Sequence, residues 1–249
     1  MHQVDYTDAA YPIRGEFAAS HSRYWARLAA PGSWFSSAER IDIAREVRAA
    51  LNCRLCRERK AALSPASVSG THDSVTDLPP VVIETIHRIT TDAARLTRSW
   101  YEDQLAAGLS EGQYIEIVGT VVAMVSIDSF GRAIGVAERA LPEATAGEPD
   151  RYVPEQIEEG EDAWVPMVPL ESVSAEDADI YAGMGRAANV ISAMSVVPDG
   201  VRMLRAQSAV MYLEVTDIAN ASRDGGRALT RPQIELTAAR VSAMNDCFY

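Results

Sequence analysis

The residues most able to do chemistry lie in the run Asn52-Cys53-Arg54-Leu55-Cys56-Arg57-Glu58-Arg59-Lys60. Two cysteines three apart fit a redox dithiol, half of a metal site, or a pair of structural thiols. If Asn52 caps a helix, Cys53 falls in its first turn, where free N–H groups and the positive end of the helix dipole favour a thiolate. Arg54, Arg57 and Lys60 add positive potential. In a redox pair, the more exposed sulfur attacks a peroxide or disulfide, and its neighbour one turn away resolves the adduct as an intramolecular disulfide. A zinc site needs four ligands; Cys56 is followed by His72, but no second pair completes the set, and no metal or cofactor is expected.

Acid–base partners for these thiols are less clear from the chain. Glu46 lies seven residues before Cys53, between Arg45 and Arg48, and reads as a solvated side chain. Glu84 and His87 are one turn apart and read as a surface ion pair, although either can reach a thiol. Glu116, beside an apolar helix face, is a better candidate for a buried partner.

The third cysteine, Cys247, closes the run Asn245-Asp246-Cys247-Phe248-Tyr249. Shifting Phe35–Cys53 by 194 residues lays it on Leu229–Cys247 without a gap. Ala44, Val47, Ala49 and Cys53 then meet Ala238, Val241, Ala243 and Cys247, while Ser36 and Glu39 meet Thr230 and Gln233. The matches fall on a helical core face and on the cysteine, so the chain reads as two copies of one helical unit.

The elements that must hold these residues carry helical period. Ile43, Val47 and Leu51 recur every fourth residue; Val82, Ile86 and Ile89 lead on to Leu96; Ile234, Ala238 and Val241 line another helix. Tyr114, Ile117, Val118, Val121 and Val125 mark a helix that is apolar almost all round, which predicts a central buried element. Ser36 with Glu39, and Ser110 with Gln113, have capping-box spacing. The expected fold class is all-α.

Residues 138–180 break this pattern. They hold five of the twelve prolines and thirteen acids against Arg139 and Arg151, so most of the net charge of −12 sits there. This stretch reads as an acidic linker or arm tacked down by Trp164, Val165 and Met167. Elsewhere the chain is near neutral, with no basic stripe for nucleic acid. The longest apolar run, Ile117–Ile127, is too short to span a bilayer, and no leader pattern opens the chain. The reading is cytoplasmic, with neither membrane nor nucleic acid as partner.

The final stretch LTRPQIELTAARVSAMNDCFY resembles the AhpD-like alkylhydroperoxidase and carboxymuconolactone decarboxylase superfamily, whose motif is Glu, eleven residues, Cys-x-x-Cys, then His on the next turn. Glu235 stands twelve residues before Cys247, as that motif asks. GRAANVISAMSVVPDGVRML (185–204) and GLSEGQYIEIVGTVVAMVSIDSFGRAIG (108–135) resemble further helices of the family. The resemblance implies tandem units at 1–137 and 181–249 around the 138–180 arm, with Cys247 as the first motif cysteine and Glu235 as the proton-relay acid. It implies a thiol-dependent peroxidase or disulfide oxidoreductase, fed by a cellular dithiol reductant and assembled as a homo-oligomer. The alternative is a non-catalytic scaffold or small-molecule-binding module on the same fold. The second motif cysteine and its histidine fall beyond Tyr249, an ending expected of a truncation or of a UGA codon recoded as selenocysteine. In the first unit the cysteine pair is complete, but Ile41 stands at the acid position, with Asp42 beside it.

Overall fold

A computed structural model describes residues 3–160, 163–245 and 247. Its elements are helical: α1 (Gly15–Leu28), α2 (Ser37–Ala50), α3 (Arg54–Ala61), α4 (Pro80–Asp92), α5 (Arg98–Ala106), α6 (Glu111–Ala133), α7 (Asn189–Ser192), α8 (Pro198–Met211), α9 (Val215–Ile218) and α10 (Arg231–Met244). Among the described residues the only β-type pairing is an isolated bridge between Glu158 and Met167. The fold is all-α.

The capping boxes expected at Ser36/Glu39 and Ser110/Gln113 both form, starting α2 and α6. The apolar girdle of α6 buries Ile115, Ile117, Val121, Met124 and Ile127. Around it α2 and α4 pack on each other and on α6, while α8 covers α6 and α1. One apolar core runs through these helices from Trp25 and Leu28 to Val196 and Val201. The apolar run is thus part of a longer helix than the run itself suggests. At 23 residues, α6 is long and apolar enough to cross a membrane, yet 61% of its most apolar window is buried inside the fold. That is the pattern of a buried core helix.

The acidic arm is pinned to the helical body through its backbone. Trp25 donates its indole N–H to the Ala140 carbonyl at 2.7 Å, and the Thr145 and Arg151 amides donate to the Ala29 and Ser33 carbonyls. Val165 is buried, whereas Trp164 stays partly exposed. Helices α2 and α10 have the same bounds 194 residues apart, and each opens on a capping box. Their environments differ: α2 buries seven residues, and α10 buries none.

Candidate functional site

Helix α2 ends at Ala50, and the chain turns through Leu51 and Asn52, so Cys53, not Asn52, is the residue that precedes α3. Its extended backbone (φ −64°, ψ 129°) stops one helix and starts the next. Cys56 then lies one turn into α3, on the same side as Cys53. Both sulfurs face inward: Cys53 is wholly buried and Cys56 nearly so. With Leu55 they form a small cluster of their own under Val68.

Two histidines close on the sulfurs. His72 Nδ1 lies 3.5 Å from Cys53 Sγ and 3.5 Å from Cys56 Sγ. His87 Nδ1, from the middle of α4, lies 3.3 Å from Cys56 Sγ. The two imidazole centroids are 4.3 Å apart. Each ring is held from behind by a carboxylate. His72 Nε2 donates to Glu84 Oε2 at 2.8 Å, and His87 Nε2 donates to Glu46 Oε2 at 2.9 Å. A carboxylate on Nε2 fixes a proton there and turns Nδ1 toward the sulfurs.

The loop that carries His72 is fastened at both ends. Asp73 accepts the Arg54 amide at 2.7 Å, satisfying one of the free donors at the start of α3. Glu46 Oε1 accepts three donors from the same loop: Ser74 Oγ at 2.8 Å, the Val75 amide at 2.9 Å and Thr76 Oγ1 at 2.7 Å. Glu46 is therefore a wholly buried hub and not a solvated residue between arginines. Glu84 pairs with His72 and with Arg59 (2.8 Å), while its helical neighbour His87 turns to Cys56, so the two do not form the surface ion pair their spacing suggests.

The charge near the thiols comes from an unexpected source. Arg54 pairs with Glu58, Arg57 donates to the Asn52 carbonyl and Lys60 to the Thr91 carbonyl. It is Arg59, through Glu84, that couples positive charge to the His72 ring. Burial pushes the Cys53 thiol up, but the Cys56 and Asp73 amides and His72 outweigh it and hold Cys53 below its ordinary value. Burial opposes a charged His72, yet Cys56, Glu84 and Cys53 raise it to about 10. Burial raises Glu84, and His72 and Arg59 overcome this to bring it to about 2. At His87 burial prevails over Glu46 and keeps the imidazole below its ordinary value.

Solvent reaches this cluster from one side. A surface cavity of 470 Å³ is lined by Gly70, His72, Pro80, Ile83, Glu84 and Gln104, while the buried cysteines do not line it. A second, apolar cavity of 580 Å³ is walled by Tyr114, Val118, Trp164, Val165, Val190 and Leu204. None of the four cysteine and histidine side chains lines it.

The other sequence candidates lie elsewhere. Glu116 is buried but binds the Trp34 amide (2.6 Å) and Arg40 (3.3 Å), not a thiol. Glu235 accepts the Tyr212 hydroxyl at 2.9 Å and pairs with Arg231. Cys247 is exposed beyond the end of α10, and that helix rises roughly 14 Å between Glu235 and Met244. The structure does not bring Cys247 and Glu235 together; Asp246, Phe248 and Tyr249 lie outside the described residues. Glu46 and His87, which the sequence offers but reads as a solvated side chain and half of a surface ion pair, are the partners it undervalues. The former sits on α2, seven residues before Cys53, and the latter arrives from α4, packed across it.

No family model matches the chain, and neither curated proteins nor solved structures give a match.

Proposed function

We propose that Cys53 and Cys56 form a redox-active dithiol, and that the chain is a thiol-dependent peroxidase or disulfide oxidoreductase. The observation that carries this reading is that both sulfurs meet imidazole Nδ1 atoms whose Nε2–H groups are held by carboxylates. His87, kept neutral by burial, takes the Cys56 proton as the sulfur attacks and returns it to the departing oxygen, while the His72 cation favours the thiolate. Cys56, within reach of both rings, is the attacking sulfur. Its thiolate attacks the terminal oxygen of a hydroperoxide, the O–O bond breaks, and an alcohol leaves with the proton relayed by histidine. Cys53 then displaces water from the Cys56 sulfenic acid. The balance is two thiols and one hydroperoxide giving one disulfide, one alcohol and one water. A cellular dithiol carrier restores the thiols.

The same account extends to the rest of the chain. The matched bounds and capping boxes of α2 and α10 support tandem units of the AhpD-like kind. In that scheme Cys247 and Glu235 are the second unit's motif residues. A pair of free thiols suits a reducing compartment, so the proposed location is the cytoplasm. Exposed Leu236, Val241 and Met244 on α10 support assembly with a second copy.

The test is turnover of an organic hydroperoxide with a small dithiol as electron donor. Wild type and Cys247→Ser are expected to turn over, whereas Cys56→Ser and Cys53→Ser are not. Equal rates in all four would sink the proposal. A second reading, a small-molecule-binding module, is favoured by the 580 Å³ apolar cavity. Stoichiometric uptake of an apolar fluorophore, lost on Val118→Trp, in a chain without peroxide turnover would favour it.

A further inference from the structure

The four side chains around the dithiol also have the donor set and spacing of a metal site. Cys53 Sγ, Cys56 Sγ, His72 Nδ1 and His87 Nδ1 all lie within 4.8 Å of one another. Zinc bound by thiolate at about 2.3 Å and imidazole at about 2.0–2.1 Å in a tetrahedron sets sulfur and nitrogen about 3.6 Å apart. The three close sulfur–nitrogen pairs here measure 3.5, 3.5 and 3.3 Å. The fourth ligand, which the sequence left unfilled, is His87, brought in by the packing of α4 against α2 and α3.

We propose that the reduced chain binds one Zn²⁺ through Cys53, Cys56, His72 and His87. Two soft sulfurs and two imidazoles select zinc-like ions over magnesium or calcium, which need oxygen ligands. Each ligating histidine already has the outer partner such a site requires, since Glu84 and Glu46 hold the Nε2–H groups and aim Nδ1 inward. The ligands are fixed before the ion arrives: Asp73 and Glu46 fasten the His72 loop, and His87 stands on a helix. Binding releases the protons that the thiols and His72 carry, and the two thiolates neutralise the dication. All four positions are taken by protein in a buried setting, which makes the site a closed, structural one.

This inference stands on the geometry and is independent of peroxide chemistry. It has one corollary that rests on the redox reading: sulfurs joined as a disulfide have no thiolate to give, so zinc occupancy and the Cys53–Cys56 disulfide exclude each other. Zinc would then hold the thiols in an unreactive reserve.

The test uses the full chain, reduced and stripped of metal by a chelator, titrated with Co²⁺ and then with Zn²⁺. The expected result is one equivalent of Co²⁺ giving the intense visible bands of a tetrahedral site and a thiolate-to-metal charge-transfer band, both bleached by Zn²⁺. That band counts thiolate ligands in the wild-type chain, so the result does not depend on variants folding. Cys56→Ser should bind at least about 100-fold more weakly, and Cys247→Ser should bind as wild type does. A weak octahedral spectrum, or equal binding by Cys56→Ser, would overturn the proposal and assign the ion to the acidic arm. Peroxide turnover is followed separately on the stripped chain. Tetrahedral cobalt without turnover removes only the redox reading; turnover without tetrahedral cobalt removes only this one.

Discussion

Replacing Glu46 by glutamine isolates the role of one carboxylate without emptying its site. Three donors, Ser74 Oγ, the Val75 amide and Thr76 Oγ1, converge on Oε1, while only His87 Nε2 faces Oε2. The glutamine oxygen must therefore stay with the three donors, which turns its NH₂ toward His87. The ring responds by accepting at Nε2 and carrying its proton on Nδ1, so it faces Cys56 with an N–H in place of a lone pair. A proton-accepting side chain is worth 10²–10⁴-fold in rate. With the His72 cation still beside Cys56 to favour its thiolate, the lower end applies, and peroxide-driven oxidation of the dithiol should slow by about 100-fold. The fold should hold. Charge-assisted bonds weaken to neutral ones, but a buried charge is also removed, leaving a net cost of about 1–2 kcal/mol. Glu46→Ala, by contrast, strands all four donors and costs on the order of 5 kcal/mol. The assay is the rate of thiol loss after mixing the metal-free chain with hydroperoxide, alongside urea denaturation of both variants. A Glu46→Gln chain that oxidises at the wild-type rate would refute the reasoning about the tautomer.

Other expectations follow from the same geometry. A methyl group on Gly32 would stand 1.8 Å from Glu116 Oε1, a buried carboxylate, so Gly32→Ala should lose about 2–3 kcal/mol in urea unfolding. Burial pulls the His21 imidazole down from its ordinary 6.5 to about 4, next to the Tyr6 hydroxyl. Above pH 6.5 both folded and unfolded states are neutral there. As the pH falls from 6.5 to about 4 the unfolded state takes up the proton first, so about 2–3 kcal/mol is lost in that window. His21→Phe should flatten that part of the stability–pH curve, and an unchanged slope would contradict it. Leu236, 72% exposed on α10, is expected to lie in a contact between copies; Leu236→Glu should shift light scattering toward the monomer, and a wild-type monomer would end the assembly proposal.

Much of the fold can be read from local pattern, because the helices announce themselves by apolar period and by Ser or Thr caps. The girdle of α6 and the boxes at Ser36, Ser110 and Thr230 are of that kind. The dithiol can be read as well, since both cysteines lie within one turn. Its partners cannot. Glu46 looks solvated beside Arg45 and Arg48, and only the return of the 72–76 loop makes it a buried hub. His87 and Glu84 share a helix face by spacing, yet His87 meets Cys56 directly while Glu84 serves the His72 ring, because α3 and the His72 loop both pack against that face. Long-range partnership depends on how helices cross, and a single chain's spacing carries no record of that. The second-unit residues show the converse. Their spacing matches a motif, while the structure ties Glu235 to Tyr212 and Arg231 and leaves Cys247 exposed.

The most direct test of the central claim is peptide-mapped mass spectrometry of the reduced, metal-free chain after one equivalent of an organic hydroperoxide. The account predicts loss of two hydrogens and a Cys53–Cys56 cross-linked peptide, with Cys247 still free. Free Cys53 and Cys56 beside an oxidised Cys247 would contradict it.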